Sequence, residues 1–195
     1  MVMPAFRETY WTAERVRALP DDANRYECID GELMVTPSPR PVHQLVVQEL
    51  HLLLGPIVRA MRPATLFLSP ADVELTPGDL VQPDLFICVP KPERTHVREW
   101  PDIGALLLAV EVLSPSTARV DRGRKREYYQ RIGALEYWIV DPDTRSVERW
   151  SPEAARGERR RGRMTWTPAS GTGHLANGDG VEIDLDALFA RALDP

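Results

Sequence analysis

Cysteine is scarce in this chain. Cys28 and Cys88 are the only two in 195 residues, too few for a disulfide scaffold, and both sit inside apolar runs, where a buried thiol is the expected state. Zinc-type spacing is absent. His51, His96 and His174 have no partners at metal-ligand spacing. Long apolar runs are missing too. The longest, Ala105–Val110, is strand-sized, whereas a membrane span needs about 20 residues. Met1–Tyr10 has no basic segment leading into an apolar one, so a secretory leader is not expected and the cytoplasm is. Gly171-Thr172-Gly173 is too short for a phosphate loop, and Ser114 lacks the Gly-x-Ser-x-Gly setting of a serine hydrolase. Positive charge is not in excess. The net charge of −5 excludes a protein that coats nucleic acid non-specifically.

What is present is an ordinary globular composition, 43% hydrophobic and 27% charged. The length suits one domain, of the usual roughly 100–200 residues. The charge is uneven. Arg119–Arg131 and Arg156–Arg163 are both strongly basic on an otherwise acidic chain. Two such patches either form solvated faces or guide a polyanion to one place.

Thr12 predicts a helix cap, with the helix running to Leu19 before Pro20. Arg25–Val35 reads as a hairpin turning at Asp30-Gly31. The prolines of Thr36–Pro41 force a loop. Leu45, Val46, Leu50, Leu53, Leu54 and Ile57 recur at helical spacing, predicting a helix over about Val42–Met61 with a kink at Pro56. Strands are expected at Thr65–Leu68, Val73–Leu75, Pro83–Val89 and Ala105–Leu113, the last central and covered on both faces. A helix at Asp121–Ile132 should stop at Gly133. Strands Glu136–Val140 and Ser146–Trp150 follow, then a polar connection Pro152–Arg163, edge strands Met164–Thr167 and Val181–Ile183, and a helix Asp186–Leu193. Trp138, Trp150 and Trp166 fall at strand positions as packing residues. This order implies an α/β sandwich around a mixed sheet.

Three polar residues interrupt the apolar middle. Asp84 opens an otherwise apolar strand, and Glu111 lies near the end of Leu-Leu-Leu-Ala-Val-Glu-Val-Leu. A buried carboxylate needs a cation, a proton or a metal. If the two strands are neighbours, the pair offers hard oxygen ligands suited to Mg²⁺ or Mn²⁺. A turn hydrogen bond at Asp84 and an arginine partner for Glu111 are the alternatives. The third residue is Lys125, which shares a helix face with Tyr128, Tyr129 and Ile132 and is the one cation aimed inward. Its alternative is an exposed Asp121–Lys125 pair.

These residues in this order resemble the PD-(D/E)XK nuclease superfamily, and more closely its bacterial Uma-type restriction endonuclease family. The matching stretches are Tyr26–Leu33, Pro37-Ser38-Pro39 with His43, Gln82–Leu85, Glu111–Thr117, then Asp121, Lys125, Tyr128 and Gly133, and Glu136–Pro142. The resemblance implies a restriction endonuclease-like α/β fold, a central mixed β-sheet flanked by helices, over a single domain of residues 1–195. The family core would span about 26–150, with 151–195 a C-terminal extension of strands and a helix. It implies a Mg²⁺- or Mn²⁺-dependent endonuclease acting on DNA, or a catalytically inactive module of that fold binding nucleic acid or protein. By the same resemblance Asp84 and Glu111 hold the metal, with the Val112 carbonyl as a neutral ligand. The superfamily lysine belongs two residues after Glu111, where this chain has Leu113, and Lys125 takes its part. Glu32 joins the catalytic set, and His43 and Tyr128 support it. Arg122, Arg124 and Arg126 line the phosphate track, and a homodimer is the expected assembly.

Overall fold

The computed structural model describes residues 10–168 and 180–194. The N-terminal residues, Gly171-Thr172-Gly173 and His174 lie outside them. Six strands form the central sheet in the order β3-β4-β5-β6-β7-β8. They are β3 (Thr65–Leu68), β4 (Leu85–Pro90), β5 (Ile103–Val112), β6 (Tyr137–Asp141), β7 (Ser146–Trp150) and β8 (Glu158–Arg160). β5 and β6 are parallel and the other pairs antiparallel, so the sheet is mixed, as expected. β5 is interior and reads as an almost unbroken apolar run because both its faces are covered.

A hairpin, β1 (Arg25–Ile29) and β2 (Glu32–Thr36), follows a short helix α1 (Ala13–Arg17), which Thr12 caps by accepting from the Arg15 amide. The hairpin turns at Asp30 and Gly31, with φ of 52° and 80°. Two successive positive φ values are the type I′ geometry that Asp-Gly supplies. Helix α2 (Pro41–Arg59) begins with Pro41 in its first turn, where a missing N–H is harmless, and runs through Pro56. Its buried face, Val46, Val47, Leu50, Leu54 and Val58, packs on one side of the sheet.

The other side carries α3 (Ala118–Val120), a π-helical turn Asp121–Lys125, and α4 (Arg126–Arg131), which together occupy the predicted helix. Gly133 follows at φ 73°, a left-handed residue that ends the helix. Tyr128 and Tyr129 are fully buried against Tyr137 and Ile139.

Three expectations need correction. Val73–Leu75 is not a strand; Val73 makes an isolated bridge to Val81. β4 starts at Leu85, so Asp84 precedes the strand rather than opening it. The connection after Trp150 contains β8, an exposed strand too polar for periodicity to reveal. β9 (Arg163–Trp166) and β10 (Val181–Asp184) pair only with each other. Together with α5 (Leu185–Leu193) they add Met164, Trp166, Ile183, Leu188 and Phe189 to the α2 side of the core. Glu136 ties them down, accepting from the indole N–H groups of Trp138 at 2.7 Å and Trp166 at 3.0 Å. Both cysteines are free and buried.

Candidate active site

The register Leu85↔Val110 sets Asp84 across from Glu111 at one end of β4 and β5. Asp84 is saturated with donors. Arg25 Nη1 lies 2.7 Å from Oδ1, and His43 Nε2 (2.9 Å) and the Val112 amide (2.8 Å) reach Oδ2. Burial alone would raise its pKa. The His43 hydrogen bond and the Arg25 charge outweigh burial and hold the carboxyl well below its ordinary range. His43 gets there because α2 starts directly after the proline loop. Its Nδ1 has no partner among the described residues.

Glu111 is fully buried. Its Oε1 accepts from Lys125 Nζ at 2.9 Å and from the Tyr129 hydroxyl at 3.2 Å. Lys125 Nζ also lies 2.8 Å from Glu27 Oε2, so one ammonium joins two carboxylates. Glu27 Oε1 accepts the Gln82 amide at 2.6 Å, tying the hairpin to the segment that delivers Asp84. Burial pushes Glu111 well above the usual carboxylate range. Lys125 pulls it down, while Asp84, Asp121 and Glu27 add to the rise. Burial pulls Lys125 down, but Glu111, Glu27 and Asp121 outweigh it and keep the ammonium charged.

Asp121 is the fourth buried carboxylate. It forms no ion pair with Lys125 within 4.0 Å among the described residues, so the exposed Asp121–Lys125 pair is overturned. Its Oδ1 lacks a partner there, and burial pushes its pKa up to about 6. A carboxyl raised on folding destabilises the fold wherever it is ionised. The penalty is full above pH 6 and gone below about 4. Asp121→Asn is therefore expected to stabilise the metal-free protein by roughly 1–3 kcal/mol at pH 7.5, at about 1.4 kcal/mol per pKa unit, and not at pH 4. Urea melts in EDTA at both values check this, and an equal difference at both refutes the assignment.

Asp84, Glu111, Lys125, Val112 and His43 thus come together. Glu32 does not. Its side chain is 63% exposed and pairs with Arg124 at 2.5 Å. A strand alternates faces, and the buried carboxylate of the hairpin is Glu27, on the partner strand. Tyr128 is buried but makes no contact with Glu111; its neighbour Tyr129 does. The three arginines assigned to the phosphate track are already paired. Arg122 bonds Asp141 and Glu148, Arg124 bonds Glu32, and Arg126 bonds Glu127 and covers the Trp150 ring. Arg25 carried no signal in the sequence. Glu27 did: it is a charge inside Tyr-Glu-Cys-Ile, the same anomaly that marks Glu111.

Two cavities, of about 240 and 500 Å³, flank this cluster and share Arg25, His43 and the Pro37-Ser38-Pro39 loop. A larger one of about 690 Å³, between α2 and β3, contains none of these residues. Among the described residues, no three His, Cys, Asp or Glu side chains converge as a metal cage. The donor chemistry nonetheless fits a hard divalent ion. Four buried carboxylates (Glu27, Asp84, Glu111, Asp121) face two permanent cations, Arg25 and Lys125, and Mg²⁺ is usually held by one or two carboxylates plus substrate phosphate rather than by a closed cage.

No curated protein matches the chain. A solved structure described as a putative nuclease belonging to DUF820, from Anabaena variabilis ATCC 29413, is similar to it. The identity is 20%, the match covers 93% of this chain and 99% of that one, and the TM-score is 0.72. A family model described as Uma2, "Putative restriction endonuclease", matches residues 13–173. With most of its length inside that match, the chain belongs to the Uma2 family.

Proposed function

We propose that this protein is a Mg²⁺- or Mn²⁺-dependent endonuclease that hydrolyses DNA phosphodiester bonds. The observation that carries this reading is Lys125 Nζ at 2.9 Å from Glu111, with Asp84 on the adjacent strand. An ammonium delivered from the helix stands in for the lysine that Leu113 displaces. The described nuclease from Anabaena variabilis supports the same activity by likeness.

Asp84 and Glu111 would hold the ion, with the Val112 carbonyl as a neutral ligand. When bound, it lowers the pKa of water and offsets charge on the phosphate. The chain's own residues do the rest. The Tyr129 hydroxyl and Lys125 fix one oxygen of Glu111. His43 and the Val112 amide fix one oxygen of Asp84, leaving Arg25 on the other. Lys125, kept protonated among carboxylates, orients the attacking water or neutralises the charge that builds on the phosphate. On this reading residues 1–195 form one domain, with the family core at about 26–150. A cytoplasmic homodimer is its proposed setting.

A second reading has its own support. Arg25 and His43 already occupy both oxygens of Asp84, as suits a nuclease fold that binds nucleic acid or protein without cutting. Plasmid incubated with Mg²⁺ or Mn²⁺ decides between them. Cleavage by the wild type and its loss in Asp84→Asn are expected. A folded protein that cleaves with neither ion, and whose Mn²⁺ affinity Asp84→Asn leaves unchanged, refutes the nuclease reading.

A further inference from the structure

The second arginine cluster has no part in the site above, yet the sheet carries it to the same end. β5, β6 and β8 run in one direction, because β7 is antiparallel to both its neighbours. The pairings Glu111↔Ile139, Ile139↔Glu148 and Glu148↔Arg159 make one row across four strands. Directly paired residues share a face, so Arg159 stands on the side of the sheet where Glu111 meets Lys125. With neighbouring strands about 4.8 Å apart, three steps put the arginine edge about 14 Å from Glu111. That is roughly four base pairs along a duplex axis rising 3.4 Å each.

The edge keeps positive charge to spare. Glu148 takes both Arg122 (3.0 Å) and Arg159 (2.6 Å), so two guanidiniums share one carboxylate. Arg160 pairs only with Glu158 of its own strand. Arg161 is exposed and has no carboxylate within 4.0 Å among the described residues. On a chain of net charge −5, such a patch is where a polyanion is held.

We propose that Arg159, Arg160 and Arg161, at the end of β8, bind backbone phosphates of the nucleic acid on its way to Asp84 and Glu111. The proposal rests on the nuclease reading for which strand is cut, but not for whether the edge binds. The row places this contact a few nucleotides from the carboxylates. Arg122, through Glu148, links it to the helix beside the site.

Arg160→Ala/Arg161→Ala tests it, since both residues lie outside the Glu148 network. The probe is a fluorescein-labelled 16-base-pair DNA duplex, with anisotropy read in EDTA over a salt series. The double variant is expected to bind about tenfold more weakly and to lower the slope of log affinity against log salt by about 2, near 0.9 per lost phosphate contact. The control, Lys91→Ala/Arg98→Ala, removes the same two charges in the exposed segment beyond β4, at the far end of the sheet, and should leave the slope at the wild-type value. If the control loses as much, net charge explains the effect and the proposal falls. It also falls if the variant binds as the wild type does but sediments as aggregates, because the arginines then only guard an exposed strand edge. Weakened binding without cleavage by any metal keeps the proposal and removes the nuclease reading. Wild-type protein that does not bind the duplex removes both.

Discussion

Lys125→Met is expected to lower stability by about 3–5 kcal/mol, the range for removing one partner of a buried ion pair, and to abolish cleavage. The ammonium is the only group that touches both Glu27 Oε2 (2.8 Å) and Glu111 Oε1 (2.9 Å). A methionine fills similar space but leaves two buried carboxylates facing each other, and one or both must take up a proton. In the variant those carboxyls titrate above their unfolded values. The penalty is therefore full at high pH and fades as pH falls below about 4.3, the ordinary glutamate value. Urea melts in EDTA at pH 8 and pH 4 measure it. Should Lys125→Met not fold at all, Lys125→Met/Glu111→Gln removes one of the stranded charges and is expected to recover part of the loss. Wild-type stability for Lys125→Met at pH 8 refutes the shared ion pair.

The fold was legible where periodicity was strong. α2 shows six apolar residues at helical spacing, and β5 shows an apolar run with one carboxylate in it; both appear within a few residues of their expected bounds. β8 was not legible because an edge strand of Glu-Arg-Arg buries nothing and so has no apolar pattern to read. Val73–Leu75 failed in the opposite way. Its apolar residues are in the core, but the chain there bridges Val81 alone.

The site was legible from its anomalies. Asp84, Glu111 and Lys125 are each a charge in an apolar setting, and burial makes such a charge conspicuous. Glu32 and Glu27 lie on opposite strands of one hairpin, and nothing local says which carboxylate turns inward. Burial against Lys125 decides it, and that is a long-range fact. Tyr128 and Tyr129 are likewise adjacent and both buried. Only the packing of Tyr129 beside Tyr137, with ring centroids 4.7 Å apart, puts its hydroxyl on Glu111. The arginines of the helix were read as free because their partners Glu32, Asp141 and Glu148 come from three different strands.

Glu111→Gln should separate chemistry from stability. Before the contacts are known, Asp84 and Glu111 look like two carboxylates that repel, so neutralising one should leave the fold intact or firmer. The structure gives each its own cation, Arg25 for Asp84 and Lys125 for Glu111, which alone would make Glu111→Gln destabilising. Two contacts limit that loss. Lys125 keeps Glu27, and a glutamine oxygen still accepts from Tyr129. One of four buried negative charges also disappears, and Glu111 is the one that burial pushes well above the usual range. The net change in metal-free stability is therefore expected to be within about 1 kcal/mol, far below the 3–5 kcal/mol of a stranded charge. Cleavage should fall by roughly 10²–10³, since a metal ion stabilises the transition state by several kcal/mol and about 1.4 kcal/mol is a factor of ten. Mn²⁺ affinity, followed by titration calorimetry, should fall with it. If Glu111→Gln instead melts several kcal/mol below the wild type in EDTA while Mn²⁺ affinity stays the same, Glu111 is a structural anchor for Lys125 and not a metal ligand.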